Sequence, residues 1–283
     1  MATLLHLDNP HEMERLANDE ETSYRQFVIC EHGRKRRRVQ QPLAQRQRVH
    51  LRLFNLLRRI HPPDYLHSGI VGRSNVSNAR AHVGRHPLLN TDIKEFYPST
   101  SDRLVLRFFT EQLHCSPDAA AVLMKICTIN GHVPTGSPLS QLLAFYAVKP
   151  RLDEIADWCT ERGVTFTVYV DDITVSGQRA TRRLLYHIKR LLGADGYICH
   201  KDAYYRASQP KIVTGVVVTA TGVRVRNRHH QKIYQEVYAL LGQEPNRQLN
   251  AYQTVRGRIA SASQIDPTTA HHAARLRNWA QQA

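Results

Sequence analysis

The sequence predicts an α+β body followed by an all-helical C-terminal quarter. Two strand-like runs, residues 166–170 and 173–176, are rich in β-branched and aromatic side chains and flank Asp171-Asp172, which reads as a β-hairpin. Helical spacing recurs elsewhere, in Val49, Leu51, Leu53, Leu56, Leu57 and Ile60 and again in Leu184, Leu185, Ile188, Leu191 and Leu192. From residue 228 to 283 the pattern is helical throughout and its surface is basic. The 283 residues suffice for one large domain or two smaller ones with a real core.

Taken in order, Asn9-Pro10 supplies an N-cap and a Pro at N1 for a short helix over 11–17. Residues 24–30 read as a strand, Glu31-His32-Gly33 as its turn, and 34–40 as the return strand carrying Arg34-Lys35-Arg36-Arg37-Arg38. A helix over 44–60 is stopped by His61-Pro62-Pro63. Residues 68–77 are loop-like and 75–82 a short helix. A short strand over 87–93 ends near Asp92, and 94–99 turns into a helix over 100–112, followed by another over 119–129 that Asn130-Gly131 closes. The loop Val133-Pro134-Thr135-Gly136-Ser137-Pro138 opens a buried helix over 139–147, which resumes to 158 after a break near Pro150. Beyond the Asp-Asp hairpin come the amphipathic helix 180–192 and a second hairpin, 212–219 with 222–225, through Ala220-Thr221. Helices over 229–242, 249–263 and 268–283 complete the chain.

The formal net charge of +15 favours a polyanionic partner, nucleic acid ahead of a membrane surface. No apolar run reaches membrane-spanning length and the N-terminus shows no signal-peptide core, so no membrane association is expected. Cys30, Cys115, Cys127, Cys159 and Cys199 are odd in number and scattered, which predicts free thiols in a reducing cytoplasm. The sixteen histidines lack HExxH or finger spacing, so they read as solvated or nucleic-acid-facing rather than as zinc ligands.

Chemistry concentrates at the first hairpin. A two-residue turn needs positive φ and favours Asn-Gly, Asp-Gly or Gly-X. Asp171-Asp172 breaks that rule, and its carboxylates repel each other. An exposed turn with two solvated aspartates is the plain alternative. A broken local rule at the tip of an apolar hairpin points instead to function, and a divalent cation such as Mg²⁺ is the simplest neutraliser. If the strand ending at Asp92 lies beside the hairpin, three carboxylates converge. Two Mg²⁺ ions roughly 3.5–4 Å apart, clamped by carboxylates, serve in-line phosphoryl transfer.

Several stretches together resemble a known family. Leu89-Asn90-Thr91-Asp92-Ile93-Lys94-Glu95-Phe96-Tyr97-Pro98-Ser99 resembles palm motif A of reverse transcriptases, Pro134-Thr135-Gly136-Ser137-Pro138-Leu139-Ser140-Gln141 motif B, and Tyr169-Val170-Asp171-Asp172 motif C. Asn78-Ala79-Arg80-Ala81-His82 is similar to the NAxxH signature of retron reverse transcriptases, and Val213-Thr214-Gly215 to their VTG signature. Residues 33–42 resemble the fingers hairpin and Val255-Arg256-Gly257-Arg258-Ile259 a thumb helix; the likeness covers about 24–267.

The resemblance implies a right-hand polymerase: N-terminal helix and fingers over 1–90, palm over 91–227 with finger-like helices at 100–130, and a helical thumb over 228–283. It implies that Asp92, Asp171 and Asp172 are catalytic and, with the Ile93 carbonyl, hold two Mg²⁺ ions. Lys35 and Arg37 would meet the triphosphate of an incoming dNTP, with Arg36 and Arg38 facing solvent. Tyr97 would be the steric gate against a ribose 2′-hydroxyl; its competing role is core packing. Thr135, Gly136 and Gln141 would shape the nucleotide pocket, or merely cap a helix. Asn78, His82, Val213, Thr214 and Gly215 would contact the cognate RNA, and Arg256 and Arg258 would grip a duplex, alongside Arg224, Arg226 and Arg228.

Two departures stand out. Val170 replaces the Ala commoner in retron motif C. The family's Asn and Lys after Gly-Tyr, the Lys a donor of a proton to pyrophosphate, are here Ile198-Cys199-His200-Lys201-Asp202-Ala203, which leaves open whether His200 or Lys201 substitutes. The implied partners are a retron non-coding RNA and its branched RNA–DNA product (msDNA), dNTPs, and a separate effector protein in anti-phage defence, all in the cytoplasm. The alternatives are a group II intron or diversity-generating reverse transcriptase, a non-catalytic RNA-binding scaffold, and an RNA-dependent RNA polymerase, which Tyr97 would obstruct.

Overall fold

The computed structural model describes residues 1–19, 22–30, 36–242 and 249–281. The predicted turn at Glu31-His32-Gly33, with Arg34 and Lys35, lies outside the described residues. Helix α1 (Pro10–Asn18) starts as expected, with the Asn9 side chain accepting from the Glu12 N–H at 2.9 Å. Strands β1 (Tyr24–Ile29) and β2 (Arg37–Pro42) pair antiparallel as an arm and lead into α2 (Ala44–Leu57). Helix α3 (Asn75–Arg80) opens on a Ser74/Ser77 capping box.

The centre of the molecule is a four-stranded antiparallel sheet ordered β4-β5-β3-β6, from β3 (Leu88–Ile93), β4 (Thr165–Tyr169), β5 (Asp172–Ser176) and β6 (Cys199–Tyr205). Its two faces follow from the period of two. Leu89 and Ile93 of β3 and Ile173 and Val175 of β5 join the main core beneath α7 (Ser140–Thr160) and α8 (Arg182–Ala194). On the other face Asn90 stands opposite Thr174, and Asp92 opposite Asp172. One end of that face is roofed by α3 and a three-stranded sheet, β7 (Lys211–Val213), β8 (Val216–Val218) and β9 (Val223–Arg224). Leu88, Val76, Ala79, Val213, Val216 and Val218 form the small core between them. The opposite end carries the aspartates.

Three helices, α9 (Asn227–Leu241), α10 (Leu249–Ser263) and α11 (Ala270–Ala280), bury a core of their own around Ile233, Val237, Val255, Ile259, Leu276 and Trp279.

Several expectations are corrected. The stretch 94–99 contains a short helix, α4 (Phe96–Ser99). The helix expected over 100–112 is α5 (Asp102–Arg107), running into a π-helical turn (Phe108–Gln112), and α6 (Pro117–Cys127) follows. Helix α7 is continuous through Pro150. Proline removes the N–H that the Tyr146 carbonyl would accept, and Gln112 Nε2 donates to that carbonyl at 2.9 Å instead. The strand expected over 212–219 is two strands, because Thr214 and Gly215 form a two-residue turn with φ of 43° and 84°. Strand β6 went unrecognised because its alternation is weak on an exposed edge.

Candidate active site and RNA-facing surface

The first hairpin turns one residue earlier than the sequence pattern implies. Tyr169 pairs with Asp172, so Val170 and Asp171 are the turn and Asp172 begins β5. Val170 has φ of 59°, an outlier for a β-branched residue. Its N–H donates to Oγ of buried Ser68 at 2.9 Å, which fixes the turn against the loop after α2. The Ile93 N–H donates to the Asp171 carbonyl at 2.9 Å, tying the turn to the end of β3. Asp92 and Asp172 are direct cross-strand partners. The three predicted carboxylate residues thus share one end of the sheet.

Their electrostatics record that crowding. Burial, then repulsion from Asp171 and Asp92, pushes Asp172 up to about 6. Burial and the Asp92 charge push Asp171 up as well. Asp92 is compensated differently: it accepts from Lys201 Nζ at 2.9 Å and meets His200 Nε2. Neighbouring residues of a regular strand point to opposite faces. Here a bulge sets Thr91 opposite two residues of β6, with Lys201 at φ 55°, so both His200 and Lys201 reach Asp92. This pair answers the question left open by Ile198-Cys199-His200-Lys201 only so far as place: both flank Asp92. Among the described residues no group of three or more His, Cys, Asp or Glu side chains stands close enough to hold a metal ion.

Tyr97, half-buried on α4, packs on Phe96 with ring centroids 5.7 Å apart. Burial, and then the Asp171 charge, hold its hydroxyl above its ordinary pKa.

The loop before α7 is clasped by the arm. Thr135 Oγ1 donates to the Arg38 carbonyl at 2.8 Å and accepts from the Gln40 N–H at 3.2 Å, while the Gly136 N–H donates to the Gln40 carbonyl at 3.1 Å. A Cβ on Gly136 would lie 2.7 Å from Val39 Cγ1 and 2.9 Å from the Gln40 carbonyl oxygen, so only glycine allows this approach. Gln141 is half-buried against Gly69, and Arg37 is exposed on β2.

Sequence reasoning missed two buried polar residues of α2. Arg46, fully buried, donates to the carbonyls of Leu16, Asp19, Lys125 and Ile126 and lies 5.0 Å from the Tyr24 ring. His50 bridges Ser137 Oγ at 2.6 Å and the Ile126 carbonyl at 2.8 Å, and burial lowers it to about 4. Their helical spacing at i and i+4 was the available signal, hidden because both are polar.

The residues expected to meet RNA differ in burial. Asn78 and His82 are 0 % exposed and Val213 is buried too. His82 spans Ser176 Oγ and Thr167 Oγ1, both at 2.7 Å, and burial lowers it to about 3. Asn78 Nδ2 reaches Thr214 Oγ1 at 3.4 Å. Asn78 is thus tied to the β7–β8 turn and His82 to the central sheet. Thr214 and Gly215 are half-exposed, with open space around Gly215. Arg256 is exposed, whereas Arg258 is ion-paired with Glu236. Burial first, and then the charges of Arg228, Arg226, Arg258 and Lys232, lower His229 at the start of α9.

No family model matches the chain. It is 29% identical over 159 residues to a retron Se72 reverse transcriptase of Salmonella heidelberg, covering 56% of this chain and 42% of that one. It is 28% identical over 174 residues to a retron Ec86 reverse transcriptase of Escherichia coli, covering 59% and 53%, and 30% identical over 236 residues to a retron Mx65 reverse transcriptase of Myxococcus xanthus, covering 75% and 54%. The chain spans about half the length of the curated relatives it matches. In structure it is similar to telomerase from Candida albicans, solved with a fragment of telomeric RNA, at a TM-score of 0.56 and 11% identity, covering 89% of this chain and 54% of that one. Telomerase from Candida tropicalis gives a TM-score of 0.51 at 11% identity, covering 72% and 55%. The fold is thus a right-hand polymerase of fingers, palm and small helical thumb, and in sequence the chain is similar to retron-type reverse transcriptases.

Proposed function

We propose that the chain is an RNA-directed DNA polymerase of a retron, copying part of a cognate non-coding RNA into DNA. The observation that carries this is that Asp92, Asp171 and Asp172 share the open end of the palm sheet, Asp92 directly across from Asp172 and Asp171 in the adjoining turn. In this reading fingers, palm and thumb are residues 1–90, 91–227 and 228–283.

Burial and the repulsion among Asp92, Asp171 and Asp172 raise Asp171 and Asp172, a concentration of negative charge that divalent cations would offset. Asp92, Asp171 and Asp172, with the Ile93 carbonyl, would hold two Mg²⁺ ions. When bound, such ions supply Lewis acidity at the attacking hydroxyl and the departing pyrophosphate. In the reaction a primer hydroxyl forms a bond to the α-phosphorus of a dNTP, the bond to the β-phosphate oxygen breaks, and pyrophosphate leaves. The first primer is a guanosine 2′-hydroxyl of the RNA, which makes the product branched. Tyr97 fills the volume beside C2′ and admits deoxyribose. Thr135 and Gly136 lock the pocket loop to the arm that carries Arg37 and, outside the described residues, Lys35; Gln141 lines the same pocket. Thr214 and Gly215 present the β7–β8 turn to the RNA, and Arg256 with neighbouring cations grips the duplex. A separate effector would use the product in anti-phage defence.

The test is to purify the chain with its nucleic acid and sequence what it holds. One RNA joined to DNA through a 2′–5′ branch is expected. A heterogeneous pool of unbranched cellular RNA would contradict the retron assignment.

A further inference from the structure

The face of the palm sheet away from the aspartates carries a second feature that the polymerase reading leaves unused. Between α8 and the edge strand β6 lies a groove of about 640 Å³. Its floor is apolar, from Leu89 and Leu185, and its walls carry Arg182, Tyr186, Arg190 and Tyr204. Leu89 and Asp92 are three residues apart on β3, so they point to opposite faces. The groove is therefore separated from the catalytic end by the thickness of the sheet.

Its chemistry is unusual for an outer surface. Tyr186 is 71% exposed and Tyr204 41% exposed. The Arg182 guanidinium stands 5.7 Å from the Tyr204 ring centroid. Helix α8 carries Arg182, Arg183, Lys189 and Arg190 and no acidic residue. Among the described residues, Arg182, Arg183 and Arg190 have no ion-pair partner, while Lys189 pairs with Asp202 at 2.7 Å. The strip continues past the groove: His187 stacks on Trp158 at 4.8 Å, and the Arg162 guanidinium lies 3.7 Å from the same indole.

Exposed rings interleaved with unpaired guanidinium groups form a stacking platform beside a phosphate track, which suits unpaired bases, because a duplex hides its base faces. Asp202, the one carboxylate among the described lining residues, is engaged by Lys189 Nζ and Thr91 Oγ1, each at 2.7 Å, so the groove presents its guanidinium groups to phosphates without a free opposing charge. The geometry points to a second nucleic-acid site on the back of the palm that binds a single-stranded stretch of RNA, its bases on Tyr186 and Tyr204 and its phosphates on Arg182, Arg183 and Arg190. This goes beyond the polymerase reading and rests on it only for the presence of an RNA partner. Such a site would hold an unpaired flank of that RNA while another part is copied on the opposite face.

The experiment uses the full chain with its cleft filled by a short blunt RNA–DNA hybrid, and measures binding of a labelled oligouridylate of about 12 nucleotides at fixed salt. Tyr186→Ala with Tyr204→Ala should raise Kd roughly tenfold or more, and the corresponding Phe pair should stay close to wild type. Arg182→Ala with Arg190→Ala should flatten the dependence of Kd on salt. Thermal melting and extension of a short pre-annealed primer–template should be unchanged in all of these variants, because the side chains lie on the far face. Extension by the wild type reports separately on the polymerase reading. The inference is overturned if the double alanine variant binds oligouridylate as wild type does, if a duplex of equal length binds as tightly and is lost in parallel, or if poly-glutamate displaces the oligonucleotide equally well.

Discussion

Two hairpin turns of this molecule use the same device for different ends. Val170–Asp171 and Thr214–Gly215 each join antiparallel strands through two residues, and each begins with a β-branched residue at positive φ, 59° for Val170 and 43° for Thr214. Such a conformation costs on the order of 1–3 kcal/mol and persists only where the surroundings hold it. Ser68 Oγ holds Val170 by its N–H. Thr214 is held by Asn75, whose Nδ2 donates to its carbonyl at 3.3 Å and whose carbonyl accepts its hydroxyl at 3.0 Å, with Asn78 at 3.4 Å. The first turn carries Asp171, and the second leaves open space around Gly215, so the same device places a carboxylate in one and exposes backbone in the other.

The largest expected break comes at the first turn. Asp171→Asn keeps shape and removes a charge; DNA synthesis should fall by roughly 10²–10³ or more, since metal-held charge stabilises the transition state by several kcal/mol. Affinity for RNA should be nearly intact in a binding assay. Next is Tyr97→Val, which should raise the ratio of ribonucleotide to deoxynucleotide incorporation by about tenfold or more, the range set by a few missing carbons in a pocket. An unchanged ratio would make Tyr97 a packing residue.

A finer break separates strain from function. Val170→Gly relieves the backbone at the cost of up to about 1 kcal/mol of chain entropy, so Tm should hold or rise while turnover falls several-fold. A clear loss of Tm would mean that the turn is not strained. At the second turn, Asn78→Ala should weaken cognate RNA binding more than generic duplex binding at fixed salt, acting through Thr214 rather than by contact. Equal loss of both would assign Asn78 to the fold alone.

The smallest effect is on pH. His82 and His50 titrate near 3 and 4 in the fold, below the unfolded value of 6.5. The unfolded chain takes up protons that the fold refuses, so stability should fall as pH drops from about 6.5 toward 4, by up to about 1.4 kcal/mol per unit for each histidine. Asp172, raised to about 6, works oppositely in the lower part of that window. Denaturant melts in an Asp172→Asn background remove that opposing group, and His82→Gln should then shallow the slope relative to its parent.

Much of this was legible in the residues. Helices with strong apolar spacing, such as α2 and α8, lay where periodicity put them, and the Asp-Asp hairpin formed with its turn one residue early. What failed had local causes. The turn at Val170 was misplaced by one residue because no glycine marks its positive φ. Pro150 misled because the group that rescues the Tyr146 carbonyl, Gln112, is remote in sequence. Strand β6 was missed because its bulge and exposed edge blur the alternation, and with it the approach of His200 and Lys201 to Asp92. The burial of Asn78 and His82 was not legible, because a buried polar residue looks like a surface one in sequence until its partners, Thr214, Ser176 and Thr167, are known.

The central claim is tested most directly by primer extension. The purified chain, given a DNA primer annealed to an RNA template, Mg²⁺ and dNTPs, should extend the primer, and the Asp171→Asn protein prepared in parallel should not. Extension by the variant at a rate near that of the wild type, or none by either protein with the template bound, would contradict the account.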